Sequence, residues 1–225
     1  PRENISAYAS FSQSFLPRSG DQFLSMTATQ ENLAPEKFTN YELGAKWDIH
    51  PGLAATLALF QLDRTNATTP DPADPALTIN AGETRTRGME LALAGRLTEK
   101  WQISGGYTYQ SAKLRGNDFV RLGQVPEHQF ALWNRYDFTP RIGAGIGVIH
   151  QSSQFAANRT ARSVTRLPAF TRVDAALFFN ASDRLQFQAN VENLFDTTYF
   201  ADAHNSNNIS TGAPLNARLS ARIKF

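Results

Sequence analysis

The sequence of 225 residues contains no cysteine, which excludes a disulfide framework and any metal site built on thiolates. It also lacks a long hydrophobic run. The longest apolar stretch, from Leu53 to Phe60, is interrupted by Thr56 and is far shorter than the ~18–20 residues of a membrane-spanning helix. The net charge of +2 lacks the basic excess expected of a nucleic-acid-binding protein. A membrane role would therefore have to be built from strands.

No Met begins the chain, and no signal peptide precedes the first segment. We therefore interpret the N-terminus as truncated, and the missing signal is not evidence for a cytoplasmic protein.

The final stretch, residues 215–225, alternates strictly between apolar and polar side chains. Such alternation predicts a β-strand with one apolar and one polar face. The aromatic Phe225 at its end is typical of an outer-membrane strand, where an aromatic lies at the membrane interface. We expect Phe225 to act as a signal for the barrel-assembly machinery.

Similar alternation recurs along the whole chain, which we interpret as one domain, residues 1–225. Most segments are ten to fifteen residues long, against the ~5–6 of soluble strands, and this length suits tilted membrane strands. The predicted strands are 4–15, 38–49, 53–65, 83–97, 101–113, 127–138, 141–151, 170–180, 184–194 and 214–225. Strand 53–65 is ambiguous because Leu and Phe occupy both of its faces.

The connections alternate strictly between long loops and tight turns. The tight turns lie at 50–52, 98–100, 139–140 and 181–183, and the long loops at 16–37, 66–82, 114–126, 152–169 and 195–213. In an up-and-down meander every tight turn then lies at one end. Short periplasmic turns and long extracellular loops are typical of an outer-membrane barrel, whereas a soluble sandwich mixes loop lengths at both ends.

Alternation alone does not tell which face is inside. The apolar side chains could contact lipid, or they could form the core of a soluble secreted β-domain. Aromatic residues near the tight turns favour the first possibility, because they would form a lower interfacial girdle: Trp47, Trp101, Tyr136 and Phe138. The predicted fold is all-β, a transmembrane antiparallel up-and-down β-barrel.

Several stretches, in order along the chain, carry sequence motifs. Val191–Tyr199 reads V-E-N-L-F-D-T-T-Y, and Gly82–Leu91 follows the pattern G-x-x-R-x-R-G-x-E-L. Further examples are Asn40–Lys46 after Pro35-Glu36, Gly105–Tyr109, Val125–His128 and, more weakly, Asn207–Pro214. Together they resemble the C-terminal half of a TonB-dependent siderophore receptor, with the last stretch similar to the catecholate subgroup.

The resemblance implies that these are the last ten or so strands of a 22-stranded barrel. It also implies an N-terminal plug and a TonB-type energy-coupling partner that acts through it, both encoded outside this sequence. The implied function is uptake of a ferric siderophore of the catecholate type across the bacterial outer membrane. The expected surroundings are outer-membrane lipid and lipopolysaccharide, with no nucleic acid.

If the apolar face contacts lipid, the other face lines the lumen and carries charges of both signs. We expect these side chains to contact the plug or to pair with one another across neighbouring strands. They are Glu42, Lys46, Glu90, Arg96, Arg135, Asp137, Arg172, Asp174, Glu192, Arg218 and Arg222.

Ligand capture is expected in the long loops, which a rigid scaffold holds above the membrane. Ferric catecholates are strongly anionic, so arginine and aromatic side chains should surround them. Loop 152–169 contains Arg159, Arg162 and Arg166 without any acid. Further candidates in other loops are Arg115, Arg121, Arg18 and Phe23. The alternative role for the three arginines is a basic rim facing lipopolysaccharide phosphates.

No catalytic constellation is present in the sequence, so we predict that the protein is not an enzyme. The histidines at 50, 128, 150 and 204 lack metal-ligand spacing, and Asp71 with Asp74 offers too few ligands for calcium. We expect no cofactor, with iron carried only inside the siderophore. Two rival functions remain: a passive ten-strand porin, or a soluble β-domain that binds carbohydrate or protein.

Overall fold

The ten long strands form a single antiparallel meander in a computed structural model that describes residues 3–17, 34–70, 78–159 and 164–225. Each strand pairs with the next long strand along the chain, in the order β1-β2-β3-β4-β5-β7-β8-β11-β12-β15. The strands are β1 Ile5–Leu16, β2 Glu36–His50, β3 Leu53–Pro70, β4 Thr78–Arg96, β5 Trp101–Leu114, β6 Asn117–Arg121, β7 His128–Asp137, β8 Ile142–Gln151, β9 Gln154–Phe155, β10 Arg166–Leu167, β11 Phe170–Asn180, β12 Leu185–Glu192, β13 Phe200–Asn205, β14 Asn208–Thr211 and β15 Asn216–Ile223.

All four tight turns lie at one end of the sheet, as predicted. They connect β2 to β3, β4 to β5, β7 to β8 and β11 to β12. We call this the periplasmic end and the opposite end the outer end, following the loop-length rule for outer-membrane barrels. Within the described ranges, no helix is long and apolar enough to cross a membrane.

Two strands extend much further than the sequence pattern predicted. β3 has 18 residues and β4 has 19, so the predicted loop 66–82 consists largely of paired strand. Short strands also occur within the predicted loops 114–126, 152–169 and 195–213, namely β6, β9, β10, β13 and β14. Above the membrane neither face of the sheet has to be apolar. The alternation of apolar and polar residues therefore ends, although the backbone pairing of β3 with β4 continues.

The apolar face of the sheet is exposed. Leu177 retains 63% and Leu219 76% of its accessible surface, whereas Phe178 on the opposite face retains 8%. In the described part of the chain no second layer covers the apolar face, as a soluble sandwich would require. The apolar side chains therefore form the lipid-facing surface, and the hypothesis of a soluble core is wrong.

The predicted aromatic girdle lies at the periplasmic end on the lipid-facing side. Trp47, Trp101, Tyr136 and Phe138 are all exposed, and Trp101 pairs directly with Tyr136 across β5 and β7. Indole and phenol rings at this height are suited to the membrane–water interface.

The lumenal face contains bulky aromatic rings that lie over glycine. Tyr8 is the cross-strand partner of Gly44, Phe60 of Gly88 and Trp133 of Gly147. A Cβ atom at any of these glycines would collide with the ring opposite. This arrangement resolves the ambiguity of strand 53–65, because Phe60 is lumenal and lies against the wall.

The two outermost strands of the sheet do not pair with each other. Among the described residues β1 pairs only with β2, and β15 only with β12. The ten strands therefore do not close into a small porin of their own in this structure. Unpaired backbone groups at such edges are very costly in hydrocarbon.

Candidate functional site

Three of the outer loops contact one another directly. The backbone N–H of Gln124 donates to the backbone carbonyl of Phe155 at 2.7 Å, and the backbone N–H of Arg159 donates to the backbone carbonyl of Arg121 at 2.7 Å. The Ala203 amide in turn donates to the Gln124 side-chain oxygen at 3.3 Å. The described parts of loops 114–126, 152–169 and 195–213 thus form one unit, which we call the outer loop cluster.

The outer loop cluster has an apolar core of its own. Ala156, Leu167 and Ala203 are almost fully buried, and Phe200 and Ile209 pack against them. The short pairs β9–β10 and β13–β14 supply the backbone hydrogen bonds around this core. A packed core holds side chains in a fixed arrangement, which a binding site on loops requires.

Two of the three arginines predicted to attract ligand lie beside phenylalanine rings in this cluster. The Arg159 guanidinium is 4.2 Å from the Phe119 ring centroid and 5.6 Å from that of Phe155. Arg166 approaches the Phe155 ring at 5.7 Å. These distances fit cation–π contacts. Neither arginine makes an ion pair with any described residue, so both charges remain available to an anion.

The other predicted arginines are neutralised or lie elsewhere. Arg121 forms an ion pair with Glu127, and Arg115 forms one with Glu83 at 2.6 Å. Arg115 lies at the β5–β6 turn of loop 114–126, where it bonds Glu83 on β4 and not a residue of another loop. The structure therefore brings together Arg159 and Arg166 but not Arg115, and ligand roles for all of them stay predictions. The remaining candidates, Arg18, Phe23 and Arg162, fall outside the described residues.

The V-E-N-L-F-D-T-T-Y motif closes the base of the last outer loop. The Asn193 side chain is 1% exposed and donates to the carbonyls of Thr197 and Ala213, both at 3.0 Å. It also accepts from the Thr197 amide at 2.8 Å. Asp196 accepts from the Leu215 amide at 2.8 Å. Asn193 and Asp196 adopt positive φ angles, which asparagine and aspartate tolerate well. The motif thus fixes where β15 begins relative to β12.

The last residue of the motif connects the outer loop cluster to the lumen. Tyr199 stacks on Phe170 with ring centroids 4.6 Å apart. Its hydroxyl accepts a hydrogen bond from Arg172 at 2.9 Å, and the same guanidinium donates to Asp174 at 2.8 Å. Asp174 also accepts from the Asn193 amide at 2.8 Å. A continuous polar network therefore runs from the lumenal wall to the base of the loop.

The predicted lumenal charges all share the face opposite the lipid-facing side chains, as the cross-strand register shows. Their pairing differs from the prediction. Arg135 binds Asp137 at 3.0 Å and Arg172 binds Asp174 at 2.8 Å, each two residues along one strand rather than across strands. A cross-strand ion pair on this face joins Arg64 and Glu36 at 2.6 Å. The flexible arginine side chain reaches acids along its own strand and on the neighbouring strand. The alternation of faces along the sequence therefore does not determine which acid it binds.

Arg135 also spans a neighbouring strand. Its guanidinium lies 4.1 Å from the Phe178 ring centroid on β11, although β8 runs between the two strands. The contact is possible because the lumenal positions of β8 are Gly143, Gly145 and Gly147, which leave room above the backbone.

Other lumenal charges remain without an ion pair among the described residues. Glu42 accepts a hydrogen bond from Tyr8 at 2.6 Å, and the Lys46 ammonium lies 5.6 Å from the Tyr8 ring centroid. The rest project along the wall, where water or a lumenal partner would contact them: Glu90, Arg96, Glu192, Arg218 and Arg222. Contact of this set with a plug stays a prediction.

The four histidines do not converge. His128 contacts Tyr107 and His150 contacts Thr171, both on the lipid-facing side. In the described part of the chain, no three His, Asp or Glu residues are grouped as a metal site would require.

Sequence reasoning missed Phe119 and Phe155, the rings that contact the two free arginines. Each lies in a loop close to an arginine, but their proximity arises from loop-to-loop contacts that have no periodic signal.

A one-sided apolar meander, tight turns at one end and a packed outer loop cluster at the other together define the wall of an outer-membrane barrel. Residues 1–194 match the family model described as TonB dependent receptor-like, beta-barrel. The chain belongs to this family, and its place is the bacterial outer membrane.

Curated relatives and solved structures agree with this assignment. The sequence is 32% identical over 246 residues to the catecholate siderophore receptor Fiu of Escherichia coli K12, covering 99% of this chain and 31% of that protein. It is 29% identical over 246 residues to the probable TonB-dependent siderophore receptor PiuA of Acinetobacter baumannii, covering 100% of this chain and 32% of that protein.

The fold superimposes on crystal structures of both proteins. The TM-score is 0.84 for the closed form of Fiu, at 30% identity, with 100% of this chain and 33% of that chain covered. It is 0.86 for PiuA, at 28% identity, with 100% and 34% covered. The chain therefore spans about a third of the length of the relatives that it matches.

Proposed function

We propose that this chain forms about ten strands of a larger outer-membrane receptor that binds a ferric siderophore, of the catecholate class, and imports it. The observation that carries the proposal is the pair of arginines in the outer loop cluster. Arg159 and Arg166 lie around the Phe155 ring without an acid partner in the described residues. Cationic guanidinium groups beside aromatic rings suit a ligand that is anionic and aromatic, as a ferric catecholate is.

The relatives support the class of ligand. Fiu is named a catecholate siderophore receptor, and another structural neighbour is the ferripyoverdine receptor of Pseudomonas aeruginosa, at TM-score 0.82 and 25% identity. Iron would travel inside the ligand, so the protein would need no cofactor of its own. It would bind and translocate without making or breaking covalent bonds.

The complete receptor would require the parts that this chain does not supply. Further strands would pair with the edges of β1 and β15, and a plug would contact the unpaired lumenal charges. A TonB-type protein would supply energy through that plug. The barrel-assembly machinery would recognise the strand that carries Phe225, whose side chain is fully exposed at the periplasmic end.

The test is to change Arg159, Arg162 and Arg166 together to Ala in the full-length receptor. We expect the affinity for a ferric catecholate to fall by about tenfold or more, with the larger loss at low salt because screening weakens charge attraction. Binding would be measured by fluorescence quenching or calorimetry on purified receptor.

A matched control changes Arg141 and Arg184 to Ala, which removes two arginines from the periplasmic turns. This variant should bind the ferric catecholate as tightly as wild type. If the triple variant binds the ferric catecholate as tightly as wild type at both low and high salt, the ligand role of these arginines is wrong. The alternative, a basic rim that faces lipopolysaccharide phosphates, would then gain support.

A further inference from the structure

Two lumenal arginines each lie two residues from an aspartate on the same strand, but they use their donors differently. Arg135 directs Nε and one terminal nitrogen to Asp137, both at 3.0 Å. Arg172 gives Asp174 a single hydrogen bond, from Nη2 at 2.8 Å. Its Nη1 donates instead to the Tyr199 hydroxyl at 2.9 Å. The second arginine is therefore shared between its own strand and the base of the last outer loop.

This sharing leaves the ion pair of Arg172 with Asp174 incomplete. A guanidinium and a carboxylate pair most strongly through two parallel hydrogen bonds. Here the second oxygen of Asp174 accepts the Asn193 backbone N–H at 2.8 Å, and the buried Nε of Arg172 has no acceptor among the described residues. A buried donor without an acceptor is costly. The guanidinium is thus held toward Tyr199 and not in the position that would pair best with the acid.

Tyr199 is fixed from several sides. Its ring stacks on Phe170 with centroids 4.6 Å apart and lies over Gly212, where a Cβ atom would collide with it. Its backbone carbonyl accepts the Gly212 N–H at 2.8 Å, and the residue is 8% exposed. Stacking alone would let the ring slide over its neighbour, whereas the charge-assisted hydrogen bond from Arg172 fixes its hydroxyl at one point.

The ring of Tyr199 adjoins the core of the outer loop cluster. The next residue, Phe200, packs against the buried side chains of Ala156, Leu167 and Ala203. Close-packed interiors transmit displacement because they contain little free volume. Since the three buried side chains come from two different loops, a shift of Phe200 would displace both loops.

Two side chains of the proposed ligand site are direct sequence neighbours of that core. Phe155 precedes the buried Ala156, and Arg166 precedes the buried Leu167. Adjacent residues move together with the backbone between them, so the core determines where both site side chains lie. A chain of contacts therefore leads from Arg172 in the lumen to the outer site.

We infer that Arg172 is a positioning residue for the outer site. Acting from the lumenal wall through the Tyr199 hydroxyl, it holds the last loop and, through the shared core, the arrangement of Phe155 and Arg166. It acts without touching the ligand. The inference rests on the proposed function, because the site that it positions is the candidate site for the ferric catecholate.

The experiment is a double-mutant cycle in the full-length receptor with Tyr199→Phe, Arg172→Met and the two changes together. Tyr199→Phe removes only the acceptor oxygen and keeps the ring on Phe170. The affinity for a ferric catecholate should fall about threefold to tenfold in each single variant. The double variant should lose no more than either single variant, because both changes remove the same hydrogen bond. If Arg172→Met does not assemble, Tyr199→Phe decides by itself.

Hydrogen–deuterium exchange measures the same coupling without ligand. The backbone N–H groups of β13 and β14 should exchange about threefold faster or more in both single variants, because the hairpin opens more often when its base is released. The N–H groups of β4 and β5 should exchange as in wild type. This readout separates a local positioning role from a general loss of stability, which would raise exchange in every strand.

Two matched variants serve as controls. Tyr136→Phe also removes a tyrosine hydroxyl, in this case one that bonds no described residue, and should leave affinity and exchange unchanged. Arg135→Met breaks the comparable lumenal ion pair with Asp137. It should leave exchange in β13 and β14 unchanged, because Arg135 contacts none of the described loop residues.

The inference is overturned if Tyr199→Phe keeps wild-type affinity and exchange while the variant without Arg159, Arg162 and Arg166 loses affinity. It is also overturned if the losses add in the double variant, because Arg172 would then act independently of Tyr199. If the triple arginine variant binds as wild type does, the proposed function fails instead. The exchange of β13 and β14 then still decides whether Arg172 holds the loop.

Discussion

The lipid-facing and lumenal sides of the same strands are stabilised by different interactions. On the lipid-facing side, leucine and isoleucine side chains are exposed in a nearly unbroken band, as Leu43, Ile146 and Leu177 illustrate. On the lumenal side, aromatic rings lie over glycine and charges bond within the wall, as Trp133, Gly147 and Arg135 illustrate. The first face needs only apolar area against hydrocarbon, whereas the second needs specific partners.

This difference teaches where substitutions should matter and why. Lipid forms a continuous apolar solvent, so the lipid-facing side tolerates changes of shape and rejects charge. The lumenal side is wet and accepts charge, but its rings and glycines fit one another and reject added volume.

The largest expected effect comes from placing a charge on the lipid-facing side at mid-depth. Leu91→Arg should lower the free energy of unfolding by ~2–4 kcal/mol, because the guanidinium would lie in hydrocarbon. Urea unfolding of the full-length barrel in lipid vesicles would measure this loss.

The matched control is Glu90→Arg, one residue earlier and therefore on the lumenal side. It should change the stability far less, because the side chain is exposed to the lumen. Equal losses for the two variants would contradict the assignment of the faces.

A substitution that adds volume should destabilise the lumenal side more than the lipid-facing side, the reverse of a substitution that adds charge. Gly145→Val should cost ~1–3 kcal/mol, because the new side chain would displace the Trp133 ring. Ala144→Val, on the lipid-facing side of the same strand, should cost little. The comparison uses the same urea unfolding, with tryptophan fluorescence as a second signal for movement of Trp133.

The smallest expected effect tests the boundary at which the lipid-facing side becomes charged. Asp63 lies above the apolar band, and the hydrogen bonds from Arg85 lower the pKa of its carboxyl below the ordinary value of 3.8. The stabilisation is therefore complete above that ordinary value and is lost as the pH falls through the lower pKa of the folded state.

Accordingly, Asp63→Asn should cost about 0.2–1 kcal/mol at pH 7, and the difference from wild type should shrink once the pH is below 3.8. The free energy of unfolding of the variant and of wild type would be measured at pH 7 and at a pH below 3.8. Asp183→Asn in a periplasmic turn serves as the control and should show no difference. A constant difference for Asp63→Asn at all pH values would mean that its charge is not what stabilises this region.

The pattern of strands and turns was predictable from sequence because membrane strands have a strict period of two. Pro51 and Gly52 mark a tight turn, and the parity of Leu57 and Leu91 defines their shared face. The prediction failed between residues 66 and 82, where β3 and β4 extend beyond the bilayer. Outside hydrocarbon no apolar face is required, so the periodic signal ends before the strands do.

The candidate site was only partly predictable. The loop arginines were recognised by charge, but the contact of Arg159 with Phe119 joins two loops with no shared period. Similarly, Arg135 and Phe178 meet only because β8 presents glycines between them. Contacts that depend on the absence of a side chain on a third strand are hard to derive from local patterns.

The run of glycines on β8 has a consequence for the shape of the channel. Trp133 lies flat in the space that side chains at 145 and 147 would otherwise occupy. The bulkiest residue type in proteins therefore packs directly on the backbone of the neighbouring strand. The indole is thereby held against the backbone of β8, because that strand has no side chains on its lumenal side at 143, 145 and 147.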